Sequence, residues 1–408
     1  MLQTQFYINL CDYTIVVLDC YYFINFNQEL VMNIKHYIKY FLYAIALALP
    51  FSCQTYQETL VRVAESDKPI SQQQYFSNPN LVALKTNGKK ESYISRIDRV
   101  LSLNNGTVIS DITGNKVLLF DKTGRFIAST ANLIGKGKNE YVHINDCALD
   151  ASRQRIIVSC DRPYQLMIFD SNLKLLECVE TGTYYSEITT DNKFLYAFCV
   201  LEDNKSYELR RYDKDNLAGE YVVLKSFDEG IVGVRGFGKL LCGNDDHIYF
   251  SMPFDNNIYK IKDGKIDDTY TIDFSNNWFS YDKSKKLTGS RFIDANLDNK
   301  WIIQNIHATD SVIFFNTNKG PFYKVNKNAR CGESYEYFED GFIPYSSSWF
   351  IPYSGKKDKI VMAIPAETIS NYLKECKKNN KEIDPLIKGL SLTDTLSNPV
   401  LQFLEFKK

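Results

Sequence analysis

The sequence predicts an all-β fold built from repeated sheets, and two observations support this prediction. Aromatic residues make up 14% of the 408 residues, with 28 Tyr and 26 Phe, and aromatic side chains favour strands over helices. A phrase made of a strand, a polar turn and an apolar strand also recurs five times. Repeats of about 40–50 residues built from short strands indicate the blades of a β-propeller. Successive copies are 49, 43, 49 and 54 residues apart, counted between their closing polar residues Asp121, Asp170, Asp213, Lys262 and Asn316.

Each copy follows ordinary strand and turn chemistry. Runs such as VLLF and LMIF are apolar enough to pack one sheet on the next, and polar groups such as TGN, DRP and EDN reverse the chain between strands. A single sheet cannot bury both of its apolar faces, so each unit is expected to be stable only when it packs against neighbouring units. The five copies cover residues 106–124, 154–172, 193–215, 246–264 and 300–318.

A sixth unit is predicted from the two ends of this region. Segments 341–353 and 358–365 are expected to supply two strands, and segment 398–406 a last strand after a polar stretch with a helical pattern. Residues 91–103 are expected to contribute from the N-terminal side. Closing a ring with strands from both ends removes exposed sheet edges. The predicted fold is therefore a six-bladed β-propeller over residues 81–408, with a short helical insertion near the C-terminus.

An N-terminal signal segment is predicted before the propeller. Residues 40–51 form a run without charge, preceded by Lys35 and Lys39. A spanning helix needs about 20 apolar residues, whereas the core of a signal peptide needs about 7–15, so the run fits a cleaved signal. Met32 begins the charged stretch before the run and is predicted to be the true start, which makes residues 1–31 a mis-assigned extension. The alternative is that these residues form a genuine anchor helix.

Cys53 directly follows Ser52 and resembles the acylated cysteine of bacterial lipoprotein signals, although Pro50 stands where that family usually has leucine. Two acyl chains anchor a protein stably where one is marginal. The resemblance implies that residues 1–52 are removed, that Cys53 is lipidated and that residues 53–80 form a linker. It also implies export and a lipid anchor in the bacterial cell envelope, at the outer membrane.

Charge and cysteine content argue against nucleic-acid binding and against a zinc or redox motif. The chain has 48 Lys and Arg against 49 Asp and Glu, and a nucleic-acid binder needs a basic excess to displace counterions, so no nucleic-acid partner is predicted. No two of the ten cysteines form a CxxC motif, so the sequence has neither a zinc ribbon nor a thioredoxin-type redox motif. Cys147 and Cys160 are interpreted as two buried free thiols, or alternatively as a pair facing each other on adjacent strands.

The order of signal, Cys53, about six blades, helical insertion and terminal NPVLQFLEF resembles a set of bacterial lipoproteins described as six-bladed β-propellers and related to the NHL-repeat class. The loop GKGKNEYVHINDCALD, residues 135–150, is similar to the NHL-type entry into an inner strand. The resemblance implies an architecture over residues 81–408 and no particular chemistry.

Ligand-binding candidates are predicted at the mouth of the central channel, where inner strands begin. Converging Arg and His side chains suit an anionic ligand, such as a carboxylate or a sugar acid. The alternative is that these side chains line a water-filled tunnel and bind nothing specific. The candidates are His143, Arg235, Arg291, Tyr185, Glu187 and Arg96.

No metal site, cofactor or catalytic residue is predicted. Some NHL-type lyases bind zinc with three channel histidines, and His143, His247 and His307 remain after cleavage. His247 and His307 are expected at opposite ends of their strands, however, so they should not converge on one ion. Segment 294–300 starts like a calcium loop but lacks its glycine, and segment 233–240 lacks the Ser or Thr of a phosphate loop.

The sequence thus predicts a non-catalytic envelope protein that recognises a small anionic or carbohydrate ligand or a partner protein. The alternative is an NHL-like metal-dependent lyase or lactone hydrolase with its active site in the channel. A third possibility is a structural subunit of a larger assembly.

Overall fold

The computed structural model divides into two units, residues 1–55 and residues 56–408. In the first unit, strand β1 (Asn9–Leu10) pairs antiparallel with β2 (Tyr13–Thr14). Met32, Cys53 and the rest of the predicted signal lie outside the described residues. The residues described are 9–10, 13–14, 57–66, 68–201, 206–228, 238–244, 247–279, 298–319, 322–336, 338, 350–355, 358–390 and 398–407.

The second unit is mostly β-sheet with few helices. It opens with strand β3, the one-turn helix α1 and strand β4, at Gln57–Ala64, Gln72–Tyr75 and Phe76–Ala83. The next twenty strands form five successive antiparallel meanders of four, which we number sheets 1 to 5.

Sheet 1 contains β5 to β8, at Arg99–Ser102, Gly106–Asp111, Lys116–Asp121 and Phe126–Ser129. Sheet 2 contains β9 to β12, at His143–Asp150, Arg155–Asp161, Gln165–Phe169 and Leu175–Glu180. Sheet 3 contains β13 to β16, at Tyr184–Thr190, Phe194–Val200, Ser206–Asp213 and Tyr221–Asp228. Sheet 4 contains β17 to β20, at Leu241–Asn244, His247–Met252, Asp255–Lys262 and Lys265–Asp273. Sheet 5 contains β21 to β24, at Ile303–Ala308, Val312–Thr317, Phe322–Asn326 and Cys331–Tyr335.

Strands from both ends of the second unit meet in a further sheet, sheet 6. Its strand order is β26, β27, β4, with Leu401 of β27 opposite Val82 of β4. The short strand β25 pairs in parallel with β5 of sheet 1. A helix at Ala366–Asn379 and a last strand at Val400–Phe406 confirm the predicted helical insertion and terminal strand. These last elements are β25 at Tyr353–Ser354, β26 at Lys359–Ile364, α2 at Ala366–Asn379, α3 at Pro385–Lys388 and β27 at Val400–Phe406.

Apolar side chains pack each sheet against the next. In sheets 1 and 2, for example, Val108 and Leu119 share a buried cluster with Val158 and Phe169. Equivalent clusters lie between sheets 2 and 3, 3 and 4, 4 and 5, and 5 and 6. A further cluster packs sheet 6 against sheet 1. Burial of apolar area between sheets is the main favourable contribution to such a fold.

Strand β3 joins the outer edges of two neighbouring sheets. It lies between β20 and β24 and pairs in parallel with both. Thr59, Val61 and Val63 are buried, whereas Leu60 and Arg62 on the other face are exposed. Segment 53–80, predicted as a linker, therefore contains a strand and much of β4, because its residues alternate with the period of two that a half-buried strand requires.

Two further details differ from the predicted repeats. The first four copies form the second and third strands of their sheets, but copy 300–318 forms the first and second strands of sheet 5. Twenty-nine residues separate β20 from β21, whereas three separate β12 from β13. Because of the longer connection, the fifth copy lies one strand earlier in its sheet than the other copies do. Within segment 91–103, expected in the sixth unit, β5 instead begins sheet 1, and β4 makes the N-terminal contribution to sheet 6.

Cys147 and Cys160 are both free and buried, as interpreted from the sequence. They do not face each other, because Cys147 pairs with Val158 and Cys160 pairs with Ile144. Burial raises the pKa of the Cys147 thiol to about 12, so this thiol is a core side chain with low reactivity.

Candidate functional site

The first strands of sheets 1 to 5 lie next to one another. β5 contacts β9, and β13 contacts both β9 and β17, which in turn contacts β21. Because each sheet is an antiparallel meander, the start of its first strand lies at the same end as the turn between its second and third strands. We refer to this end as the entry end.

Two of the predicted site residues lie at the entry end. His143 is the first residue of β9 and is exposed. Arg96 stands three residues before β5, and its side chain is 49% exposed. The Nε atom of Arg96 donates to the Asp98 carboxylate at 2.7 Å. The entry end thus carries two solvent-facing basic side chains.

Two other predicted residues are buried. Tyr185 is 4% exposed and donates its hydroxyl hydrogen to the Tyr212 hydroxyl at 2.5 Å, inside the apolar cluster between sheets 2 and 3. Burial raises the pKa of Tyr185. Glu187 is 9% exposed. Arg235, Arg291 and the predicted lipidation residue Cys53 lie outside the described residues.

A buried group of charged side chains, which we name the central cluster, lies on the first strands of sheets 1 to 3 and directly before that of sheet 4. Arg99, whose side chain is 1% exposed, donates to the Asp146 carboxylate from Nε and Nη2 at 3.1 and 2.8 Å. The Nζ atom of Lys239 is 2.9 Å from the same carboxylate. The backbone N–H of Ile188 also donates to it, at 3.0 Å.

Glu187 is the fourth member of the central cluster. Its Oε2 atom accepts from the backbone N–H groups of Leu240 and Leu241 at 2.9 and 2.8 Å. The Leu241 carbonyl accepts in turn from Arg99 at 3.1 Å. Carboxylate, guanidinium and backbone therefore connect sheets 1, 3 and 4.

Sheet 5 joins this network through two amide side chains. The Asn305 side chain accepts from the Lys239 backbone N–H at 2.8 Å, and the Asn305 N–H donates to the Lys239 carbonyl at 2.7 Å. Gln304 accepts from the Gly238 N–H at 2.9 Å. Asn305 has a φ of 53°, in the left-handed region that Asn tolerates better than most residues.

The protonation of the central cluster follows from these contacts. Burial raises the pKa of Asp146, but the nearby Arg99 and Lys239 outweigh burial and hold it below its usual range. For Glu187, burial dominates and the pKa is raised, with a further contribution from the Asp146 charge, although Lys239, the Leu241 N–H and Arg99 oppose the shift. Asp146 is thus held as the anion that compensates Arg99 and Lys239.

The central cluster links the first strands of sheets 1 to 4. Its four side chains are buried and have partners inside the protein. His143 and Arg96 each stand three residues before a cluster member, Asp146 and Arg99. Unlike the members of the central cluster, both of these side chains reach solvent.

Sequence reasoning missed Arg99, Asp146 and Lys239. The available signal was a charged residue inside or beside each apolar run, in IDRVLSL, HINDCALD and GKLLCGN. Charged residues are rarely fully buried unless they are paired, so three such residues on first strands of neighbouring repeats point to one another.

A groove elsewhere on the second unit is a further candidate for binding small molecules. It has a volume of about 520 Å³, within the range of ligand pockets. Two basic residues, Arg62 and Lys324, line it together with Glu333 and Tyr335. The Nζ atom of Lys324 donates to the Tyr75 hydroxyl at 2.6 Å, which ties β23 to helix α1.

His247 and His307 both lie at the end of their sheets opposite the entry end, beside the turn between the first and second strands, so the expectation that they lie at different ends of their blades was wrong. His247 begins β18, and His307 is a buried residue near the end of β21 that stacks on Phe406 with ring centroids 5.4 Å apart. Within the described ranges, no group of three or more His, Cys, Asp or Glu side chains is placed to hold a metal ion. Residues 294–297 of the calcium-loop-like segment and residues 233–237 of the glycine-rich segment lie outside those ranges.

Within the described part of the chain, no helix combines the length and apolar character needed to cross a membrane.

Residues 58–405 match the protein family described as a domain of unknown function, DUF4934. Among solved structures, a protein described as a putative exported protein of Bacteroides fragilis is 15% identical, with a TM-score of 0.63, and the match covers 86% of this chain and all of that chain. This likeness shows a shared fold.

Two other solved structures are more distant. A member of the DUF4221 family from Bacteroides vulgatus is 12% identical with a TM-score of 0.46, over 81% of this chain and 97% of that chain. The WD40 domain of Neurospora crassa Pan2 is 9% identical with a TM-score of 0.37, over 65% of this chain and 71% of that chain. No protein with a curated description matches the chain.

Proposed function

The chain belongs to the DUF4934 family, and from that premise we propose that it is an exported lipoprotein of the bacterial envelope. Its body is a six-bladed β-propeller that recognises a small anionic ligand, such as a sugar acid, without catalysing a reaction.

The blade count is supported by the packing of the sheets. Sheets 1 to 5 are four-stranded meanders, and each packs on its successor through an apolar cluster. Sheet 6 packs on both sheet 5 and sheet 1. A set of sheets whose last member packs on the first is the arrangement of a closed propeller.

The ligand class is supported by one observation at the entry end. His143 is exposed there, and the Arg96 side chain is 49% exposed although it pairs with Asp98, whereas Arg99 and Lys239 of the central cluster are buried against Asp146. Charge-assisted hydrogen bonds from Arg and His are strongest to carboxylates and phosphates. An anion is therefore the ligand that the exposed groups suit.

Titration of the purified protein with D-glucuronate, followed by NMR, tests this proposal, with D-glucose as the neutral control. We expect binding of glucuronate that weakens at least about tenfold, a loss of about 1.4 kcal/mol, in an R96A/H143A double variant. An R62A/K324A variant removes two basic residues from the groove instead and is expected to bind normally. Equal responses to glucuronate and glucose, or unchanged binding by R96A/H143A, would contradict the proposal.

The envelope anchor is tested separately at Cys53. Bacteria that express the full chain are supplied with an alkyne analogue of palmitate, and we expect the label on the protein and the protein in the membrane fraction. C53S should lose both, whereas C331S, which removes an exposed cysteine, should keep both. Label that persists in C53S would rule out Cys53 as the lipidated residue.

A further inference from the structure

The outer edges of the six sheets are protected to different degrees. β20 and β24 are covered by β3. β8 has only four residues, and β4 contains Pro79. β12 carries Glu177 and Glu180. Short length, proline and charge are the usual means of preventing edge strands from pairing with other chains.

Strand β16 is the least protected of the described outer strands, because it is long, has no proline and carries its charged residues, Lys225 and Asp228, only in its second half. It has eight residues and is the outermost described strand of sheet 3. Tyr221, Val222 and Val223 are consecutive and are 45%, 46% and 41% exposed. A long edge with exposed apolar residues is a template for another strand.

The molecule itself shows that an outer strand of its sheets accepts an added strand. β3 pairs with β20 over six residues, from Asp268 opposite Gln57 to Asp273 opposite Arg62. β20 is the fourth strand of sheet 4, and β16 is the fourth strand of sheet 3. The outer edge of β16, which no described strand pairs with, thus occupies the position that β3 covers on the next sheet.

We propose that β16 pairs antiparallel with β16 of a second copy, so that the protein forms a two-fold symmetric dimer. This inference goes beyond the proposed ligand recognition and does not depend on it. Two copies of one strand match in length and pattern, and closed two-fold dimers are the commonest oligomers.

The pairing of β16 with β15 fixes which residues share a face. On one face of the sheet, Tyr221 and Val223 lie opposite Tyr212 and Arg210. Val222 and Lys225 share the other face, because a bulge between Leu209 and Arg210 shifts the register by one residue. A pair centred on Val222 sets Val222 opposite its own copy. Tyr221 of each copy then lies opposite Val223 of the other, and the exposed apolar residues meet at the two-fold axis.

Charge supports the same pairing. Glu220 directly precedes β16 and is exposed. In a pair centred on Val222, Glu220 of one copy lies opposite Leu224 of the other copy and next to Lys225 of that copy. An acidic and a basic side chain are therefore close on each side of the two-fold axis. Opposite charges across strands stabilise pairing, and like charges directly opposite destabilise it.

Sedimentation equilibrium of the purified full chain tests the dimer. The wild type is expected to associate reversibly, and V222K, which places two lysines opposite each other, to raise the dissociation constant at least about tenfold. L176K introduces the same charge on the edge of β12, where Leu176 is 49% exposed, and is expected to dimerise like the wild type. Thermal midpoints are compared at a concentration well below the dissociation constant, because association would itself raise the midpoint of a dimer. Equal midpoints of the three monomers show that V222K is folded.

A charge exchange tests the register independently of apolar contacts. E220K and K225E are each expected to weaken the dimer, and the double variant to restore it, because each copy then offers the opposite charge again. A wild type that remains monomeric at every concentration overturns the proposal. So does a dimer that V222K leaves intact, because the contact would then lie on another surface.

Discussion

Arg99 and Asp146 show how buried charges can join sheets that lie far apart in sequence. Moving a charge out of water costs several kcal/mol, which a close partner and further hydrogen bonds can offset. Asp146 has both, since it faces Arg99 and Lys239 and accepts from the Ile188 N–H. Loss of this carboxylate would leave two buried cations without compensation.

The D146A variant is therefore expected to lose about 3–5 kcal/mol in the free energy of unfolding, measured by urea denaturation. D267A makes the same change at a partly exposed pair with Lys260 and should lose about 0–1 kcal/mol. A loss in D146A no larger than that in D267A would show that the central cluster does not hold the sheets together.

Lys327 gives a prediction about pH. Its Nζ atom donates to the Thr309 carbonyl at 2.5 Å and to the Tyr249 hydroxyl at 3.1 Å, and burial lowers its pKa from 10.5 to about 8. Between these two values the unfolded chain binds more protons than the folded protein, so the contribution of Lys327 to stability rises with pH. The unfolding free energy of the wild type should therefore rise relative to that of K327M from pH 8 towards pH 10.

Urea denaturation at several pH values measures this difference. K262M removes an exposed lysine at the end of β19 and controls for the general loss of a positive charge. A difference between the wild type and K327M that stays constant or falls over this window would contradict the assignment.

Elements differed in how well the sequence predicted them. The strand pairs of the first four copies were predicted because each is a local hairpin whose turn residues and apolar runs are adjacent in sequence. Strand β3 was missed although Thr59, Val61 and Val63 alternate with polar or exposed residues, because its partners β20 and β24 lie more than 200 residues away. A sequence pattern can indicate a strand, but it does not identify distant partners.

Strand β3 is expected to protect both sheets that it joins. V61D places an unpaired carboxylate at a fully buried position, which is costly and should detach β3. L60D places the same charge on the exposed face of the strand. In hydrogen exchange, peptides that cover β20 and β24 should lose protection in V61D and keep it in L60D; unchanged protection in V61D would contradict this role.

At the scale of the whole molecule, the mostly β architecture, the helical insertion and the terminal strand were predicted from repeat spacing and local pattern. The central cluster was not, because Arg99 and Leu241 meet across 142 residues and no spacing signal marks such a contact. Of the predicted mouth residues, His143 and Arg96 lie at the entry end, whereas Tyr185 is buried in an apolar cluster. Strand alternation sends neighbouring side chains to opposite faces, and the sequence alone did not reveal which face was buried. Six blades, lipidation and ligand binding stay predictions.

The closed propeller that we propose requires strands from both ends of the second unit to share one sheet. Ser77 of β4 lies opposite Glu405 of β27, and opposite residues of antiparallel strands have Cα atoms about 4.5–5.5 Å apart, within the range of a disulfide. In an S77C/E405C variant of the full chain, mild oxidation followed by peptide mapping should yield an intramolecular bond between residues 77 and 405, with S77C alone as the control. A fully folded variant that forms no such bond, or forms it only between molecules, would contradict the closed arrangement.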